Sequence, residues 1–462
     1  MNIRNTIVFL TSVVFFYFLS VIGTGCAQIG MPLGGPRDSL PPVLLNSNPP
    51  NQTTHFTENK VVLTFDEYVH VEDLQNNLLV APTPKINPVI NYKLKTVTIK
   101  LRDTLQANTT YSIQLGNSIQ DINENNPVHD FTYVFSTGAY IDSLTFSGNV
   151  LLAQTGKPDT TLFVFLYKDL SDSAVYKHKP NYIARVNNKG DFIFHHLPQG
   201  IYNVFALKDE SGQKMYNNPT QIFAFADSSI QVSQQERPVQ LFAYAEEKPF
   251  VKASASKAPP EKKLTFTNSL TSGVQDLLSP LALTFSGKLK NFDSTKIRLT
   301  DTLFNPVNTA TVSIDTTFKI VSVQNNWPED THYLLLISKD FATDTLGNSL
   351  AKADTLKFIT NRESAYGSIK INFTNLNKFK NPVLQFVVNN EVVQSFPITS
   401  TSWSKKLFKP GEYELRVLED ENKNEIWDPG SYHLKKQPEK VYSIPQSVNI
   451  RGNWENERNI VL

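Results

Sequence analysis

One cysteine, Cys26, is all that this 462-residue chain contains, so no internal disulfide can hold it together. Charge of one sign is also missing: 44 Lys and Arg face 43 Asp and Glu, a formal net charge of +1. Without a strong field nothing draws in nucleic acid or an anionic surface, and nucleic acid is not an expected partner. Beyond the N-terminus no segment sustains a 3.6-residue apolar period, which argues against a helical protein. No Gly-Xaa-Ser-Xaa-Gly elbow, His-Glu-Xaa-Xaa-His pair, phosphate-binding loop or dinucleotide fingerprint occurs. The usual hydrolase, metalloprotease and nucleotide chemistries therefore lack a motif, and an enzyme is not expected.

The one long apolar run, Ile7 to Ile22, follows Arg4 and leads into Gly23, Thr24 and Gly25. That order is the n-region, h-region and small-residue cleavage site of a signal peptide over residues 1–25. The run is shorter than the roughly 20 residues that span a bilayer comfortably. Cys26 follows at once, and the arrangement resembles the lipobox of bacterial lipoproteins, where cleavage precedes a cysteine that carries acyl chains such as palmitate. Gly23 stands where that motif favours Leu. The resemblance implies lipidation of Cys26 and attachment to a membrane; the plainer alternative is an ordinary signal peptide with an incidental cysteine. Ala27-Gln28-Ile29-Gly30 lacks the acidic run of many surface-exported Bacteroidota lipoproteins, which implies an outer-membrane address facing the periplasm.

The mature chain is rich in what β-sandwiches use: 27 Pro, 30 Phe and 17 Tyr, with many Val, Ile and Thr. Residues 26–42 read as an extended tether and 246–262 as a linker of Lys, Ala, Ser and Pro. The expected fold class is all-β, a tandem array of β-sandwich modules at 43–138, 139–245, 263–361 and 362–462. Internal repetition supports this division. VVLTF at 61–65 returns as LALTF at 281–285, and Asn108-Thr-Thr-Tyr111 returns as Asp330-Thr-His-Tyr333. Leu197-Pro-Gln-Gly200-Ile-Tyr202 leads to Asp209 much as Phe408-Lys-Pro-Gly411-Glu-Tyr413 leads to Asp420. The order is A-B-A-B, a property of modular scaffolds.

The A modules resemble the bacterial Ig-like domain of S-layer proteins in four features: an apolar-Thr-Phe strand, a Tyr-led strand, Asp344-Thr-Leu-Gly347-Asn348, and a closing Phe135-Ser-Thr137 or Phe358-Ile-Thr360. The first copy departs by carrying Glu124-Asn125 in place of Gly-Asn. The B modules resemble the carboxypeptidase-regulatory, transthyretin-like sandwich through Ser147-Gly148-Asn149-Val150, Gly190-Asp-Phe192 and Leu197-Pro-Xaa-Gly200-Xaa-Tyr202. The second copy keeps Pro410-Gly411-Xaa-Tyr413 but matches weakly in its first half. Together with Cys26 the chain is similar to the Ig-like lipoproteins of Bacteroidota. The resemblance reports fold more than chemistry.

Candidate chemistry is sparse. Asp420, Asn422, Asn424 and Asp428 place oxygens at positions 1, 3, 5 and 9 of a loop, a spacing that could wrap a calcium ion. The EF-hand pattern fails at Glu425 and Ser431, and the other reading is an Asn/Asp turn whose side chains bond their own backbone. No cofactor is required, and calcium is the one considered. His195-His196 lacks further zinc ligands and reads as a polar turn. Twelve of 23 aspartates precede Ser or Thr, among them Asp38, Asp103, Asp142, Asp301, Asp344 and Asp354. These resemble the O-glycosylation acceptors of Bacteroidota, with turn chemistry as the alternative. Trp403, Trp427 and Trp454 crowd the last module and are candidate ligand-binding aromatics, or core. The functional expectation is a membrane-anchored, non-catalytic envelope scaffold. The alternative is a carbohydrate- or peptide-binding accessory protein, possibly calcium-dependent, with a protein or glycan of unknown identity as partner.

Overall fold

The computed structural model describes residues 3–22, 37–234, 237–247 and 263–462. Cys26, tether residues 26–36 and linker residues 248–262 lie outside them. Among the described residues the chain is all-β apart from an N-terminal helix, Ile3–Ile22, and a few single turns. From Ile7 to Tyr17 the apolar side chains of that helix stand exposed. No helix among the described residues is long and apolar enough to cross a membrane.

Two compact units divide the chain. One holds the residues up to Leu78 with Ile86–Gln106 and Ile113–Phe135; the other holds Leu79–Lys85, Ala107–Ser112 and Ser136–Leu462. In the first, Leu44–Asn48, Lys60–Phe65, Thr96–Lys100 and Val89–Lys93 form an antiparallel sheet in that order. Burial follows the period of two: Val61, Leu63, Phe65, Val97 and Ile99 are wholly buried while their neighbours are not. Tyr133 donates its hydroxyl to Pro49 O (2.9 Å), and Phe56 lies 4.0 Å from the Phe135 ring. Val43, the expected first residue of the module, donates its N–H to Asp66 Oδ1 (2.8 Å), and Asp38, expected in the tether, accepts Asn126 Nδ2 at its carbonyl (3.2 Å). The first module thus begins before residue 43.

Three sandwiches follow in the larger unit. The third module repeats the first module's sheet order, with Phe266–Asn268, Leu281–Phe285, Ile320–Gln324 and Thr311–Ile314 in sequence across the sheet. Its core gathers Trp327, Tyr333, Phe341 and Phe358. A further likeness lies in the turn after the short strands Ile119–Asp121 and Ala342–Asp344. Asp344 takes N–H groups of Leu346 and Asn348 (2.9 and 2.8 Å), with Gly347 at φ +83°. Asp121 takes those of Glu124, Asn125 and Asn126, with Asn125 at φ +62°. Asn tolerates the left-handed region, so it can stand in for the missing glycine.

The second and fourth modules share a topology, except that Phe223–Phe225 and Ile230–Val232 of the second stand where the fourth has the single strand Val441–Ile450. In the second, Leu144–Leu152 pairs antiparallel with Asp191–Leu197 and parallel with Val239–Ala243. In the fourth, Gly367–Thr374 pairs antiparallel with Ser402–Phe408 and parallel with Glu455–Val461. The facing sheets centre on Leu162–Tyr167 with Gly200–Lys208 and on Pro382–Val388 with Gly411–Glu419. Both copies lock the same corner: Tyr202 Oη donates to Pro198 O and Tyr413 Oη to Lys409 O, each at 3.0 Å. The third and fourth modules are joined by Leu277 N–H donating to Tyr366 Oη (2.8 Å) and by Lys409 with Asp276 (2.6 Å).

Candidate functional site

The residues between Asp420 and Val441 hold most of what is chemically distinctive. Asp420 is buried, and its carboxylate accepts N–H groups of Lys423 (2.6 Å), Asn424 (3.2 Å) and Glu425 (2.7 Å). Asn422 and Asn424 both donate their amides to Asp428 Oδ2. The four residues expected to hold calcium do come together, but their oxygens are engaged by the loop's own N–H and NH₂ groups, the pattern of an Asx turn. Glu439 underlies the loop and accepts N–H of Glu421 (2.8 Å) and Asp428 (3.0 Å). Burial pushes its carboxyl up, as do Asp420 and Asp428 beside it. Among the described residues no group of three or more His, Cys, Asp or Glu is placed to hold a metal ion.

Past that turn the chain makes a tight bridge, Ser431 with Lys436, and aims Tyr432 at the second module. Tyr432 is 3 % exposed. Its ring lies 5.1 Å from Phe225, 5.3 Å from Phe223, 5.6 Å from Phe205 and 5.9 Å from Tyr176. Those with Phe205 and Phe223 are edge-on, the geometry aromatic quadrupoles favour. Its hydroxyl donates to Asp172 O (3.0 Å) and its N–H to Glu246 Oε1 (3.1 Å), which also accepts Tyr216 Oη (3.0 Å). Burial pushes the Tyr432 hydroxyl well above its ordinary value. Lys435 Nζ sits 3.8 Å over the ring and 2.6 Å from Asp172. Glu246, expected in the linker, is therefore a structural residue of this junction.

Further contacts zip the two modules. Val441 N–H donates to Ala153 O (3.0 Å), Gln437 Nε2 reaches Phe225 O (3.1 Å) and Asp227 (2.7 Å), and Lys157 pairs with Glu414 at 2.7 Å. At Gly156, φ +66°, a Cβ would lie 2.4 Å from Val441 O, so this approach of two backbones requires glycine. Beside the junction opens a cleft of about 610 Å³, lined chiefly by the second module with Trp427 from the fourth.

The three candidate aromatics occupy three environments. Trp403 is half-buried against Phe386 and Phe396 in the fourth module's core. Trp427 is half-buried at the junction, its Nε1 donating to Glu439 O (2.8 Å). Trp454 alone is openly exposed, at 62 %. The structure does not gather them on one exposed face. The histidine pair lies in the strand Asp191–Leu197 and not in the polar turn expected for it; His196 Nδ1 is 3.1 Å from Asp142 O, and its ring is 6.3 Å from that of His195. Of the Asp-Ser/Thr sites, Ser39, Thr104, Ser143, Thr302, Thr345 and Thr355 are all exposed. Asp38, Asp301 and Asp354 each accept a nearby N–H, as turn chemistry requires. Sequence reasoning missed Tyr432, Glu246 and Glu439. Tyr432 carries no local signal, because its partners lie some two hundred residues upstream.

Residues 38–137 match the family model of the bacterial Ig-like domain. No curated protein matches the chain. Among solved structures, the major pilin subunit of Bacillus cereus is 10% identical, with 69% of this chain and 99% of that one covered and a TM-score of 0.16. The TIE protein of Bacillus anthracis is 10% identical, with 93% and 75% covered and a TM-score of 0.17. The N-terminal part of the bacterial S-layer protein SbsC is 15% identical, with 45% of each chain covered and a TM-score of 0.16. TM-scores this low leave the fold resting on strand order and on the Ig-like match. The class is a multi-module, all-β sandwich protein. Its first module carries a bacterial Ig-like domain.

Proposed function

We propose that the chain is a non-catalytic envelope lipoprotein, a scaffold of Ig-like and transthyretin-like modules of the kind found in Bacteroidota. Acyl chains on Cys26 anchor it in the outer membrane, facing the periplasm. The observation that supports a scaffold is the seating of Tyr432 in the aromatic cage of the second module. A chain that transmits position needs modules that do not swivel, and buried aromatic area with satisfied polar ends supplies that stiffness. The exposed apolar side chains of Ile7 to Tyr17 fit a segment meant for export machinery and not for packing on the sandwiches. Two or more acyl chains hold stably where one holds only marginally, at about 0.8 kcal/mol per buried CH₂.

Fractionation tests the anchor. Cys26→Ser releases the mature protein from membranes, and a variant that still sediments with them refutes lipidation. Protease added to intact cells leaves a periplasm-facing protein untouched, so rapid degradation would overturn the topology.

A further inference from the structure

We propose that the cleft beside Trp427 is a binding site for a short neutral oligosaccharide. Its volume, about 610 Å³, lies within the range of roughly 300–1,000 Å³ typical of small-ligand sites. Trp427 forms one wall, and because its Nε1 is committed to Glu439 O the ring is held in one orientation. Leu152 and Ile222 add apolar surface. The polar wall comes from the loop of Asn218 and Gln221. Gln221 Oε1 accepts N–H groups of Asn217 (3.0 Å) and Asn218 (3.1 Å), and Asn218 Oδ1 accepts that of Thr220 (2.9 Å). Both side chains are thereby oriented with their NH₂ groups left to donate.

Charge in the cleft is largely cancelled, since Lys208 and Glu210 pair with each other at 3.4 Å. Glu247, exposed on the rim, can accept hydroxyl protons and repels an acidic ligand. A fixed aromatic face beside oriented amide donors, with no unpaired cation, suits a sugar: its C–H face stacks on the ring and its hydroxyls meet the amides. Backbone in the wall is already paired at three places, which disfavours a peptide adding there as a strand. Tyr244 exchanges both its hydrogen bonds with Phe223 at 2.8 Å, Lys208 N–H donates to Ile222 O (2.9 Å), and Leu152 pairs with Ala243.

The test is calorimetric titration of the full chain with triacetylchitotriose, cellotriose and maltotriose, and with trialanine as the competing class. At least one of the sugars binds and trialanine does not. Trp427→Leu weakens that binding about tenfold or more, and Trp427→Phe restores part of it. Asn218→Ala, on the exposed rim, weakens it by a smaller factor and keeps the test decisive should Trp427→Leu fail to fold. Silence from all three sugars at millimolar concentration, equal affinity in both Trp427→Leu and Asn218→Ala, or preferential binding of trialanine overturns the proposal. None of these readouts depends on the membrane anchor.

Discussion

The second and fourth modules are built on one plan and used in two ways. Each has a three-stranded sheet closed by a parallel last strand, and each pins its corner with a tyrosine hydroxyl on the carbonyl four residues back. They part company after the strand that ends near Asp209 or Asp420. In the second module the following residues fold back on their own sheet, with Tyr216 stacked 4.2 Å from Phe223. In the fourth they run outward through an Asp-centred turn and deliver Tyr432 to its neighbour. Shared features make the sandwich; the unshared loop supplies the junction's aromatic anchor. Within one fold, then, a surface loop can change how a module associates without touching the strands that define it.

The largest way to break this contrast is Tyr432→Ala. Emptying an aromatic cage of this depth costs about 3–5 kcal/mol, and small-angle scattering should show the second and fourth modules separating. A lowered denaturation midpoint with unchanged scattering would mean the junction survives without its anchor. Next comes Asp344→Asn, which acts inside a module instead of between modules. Burial raises the Asp344 carboxyl, but hydrogen bonds from the Asn348 side chain and from the N–H groups of Asn348, Leu346 and Gly347 outweigh it and hold it below its ordinary 3.8. A lowered folded value stabilises above the ordinary value and is lost as pH falls through the folded one. The substitution should cost about 1.5–3 kcal/mol near pH 7, with the gap to wild type closing below about pH 3.8. A gap independent of pH would assign the loss to shape and not to charge.

Tyr202→Phe and Tyr413→Phe sharpen the other side of the comparison. If the corner is a common device, each costs about 1 kcal/mol in urea unfolding, and equally. Unequal losses would show that the fourth module's corner has been relieved by its other contacts. Lys157→Ala is the smallest: the Lys157–Glu414 pair is roughly half exposed, so its loss should cost less than about 1 kcal/mol and shrink further in salt. Calcium is expected to leave the melting curve of the full chain unmoved, because a metal would have to displace the amides on Asp428 and the N–H groups on Asp420. A rise in melting temperature with millimolar calcium would restore the metal reading of that loop.

Much of the architecture was legible because strands announce themselves locally. Alternation in KVVLTF and LALTF predicts a half-buried strand, and the burial pattern of each follows it. Repeated Gly-Xaa-Tyr turns revealed paired modules, since the corner joins residues only four apart. Asp-rich turns were equally visible, although their spacing alone left metal and turn open. Boundaries read less well: Asp38 and Glu246 sit in stretches whose Pro, Gly, Lys and Ala content suggests tether and linker, yet both make specific hydrogen bonds.

What the sequence determined by itself is the class of element and the order of modules, because hydrophobic period, turn residues and repeated motifs act over a few residues. What only the tertiary structure decided is which surface side chains become contacts. Tyr432, Trp403, Trp427 and Trp454 look alike as exposed-loop or strand aromatics, and one is caged, two are half-buried and one stands in solvent. Their fates depend on partners far away in the chain, such as Phe205 and Phe223 for Tyr432, and no local pattern encodes a contact whose two halves are independently ordinary.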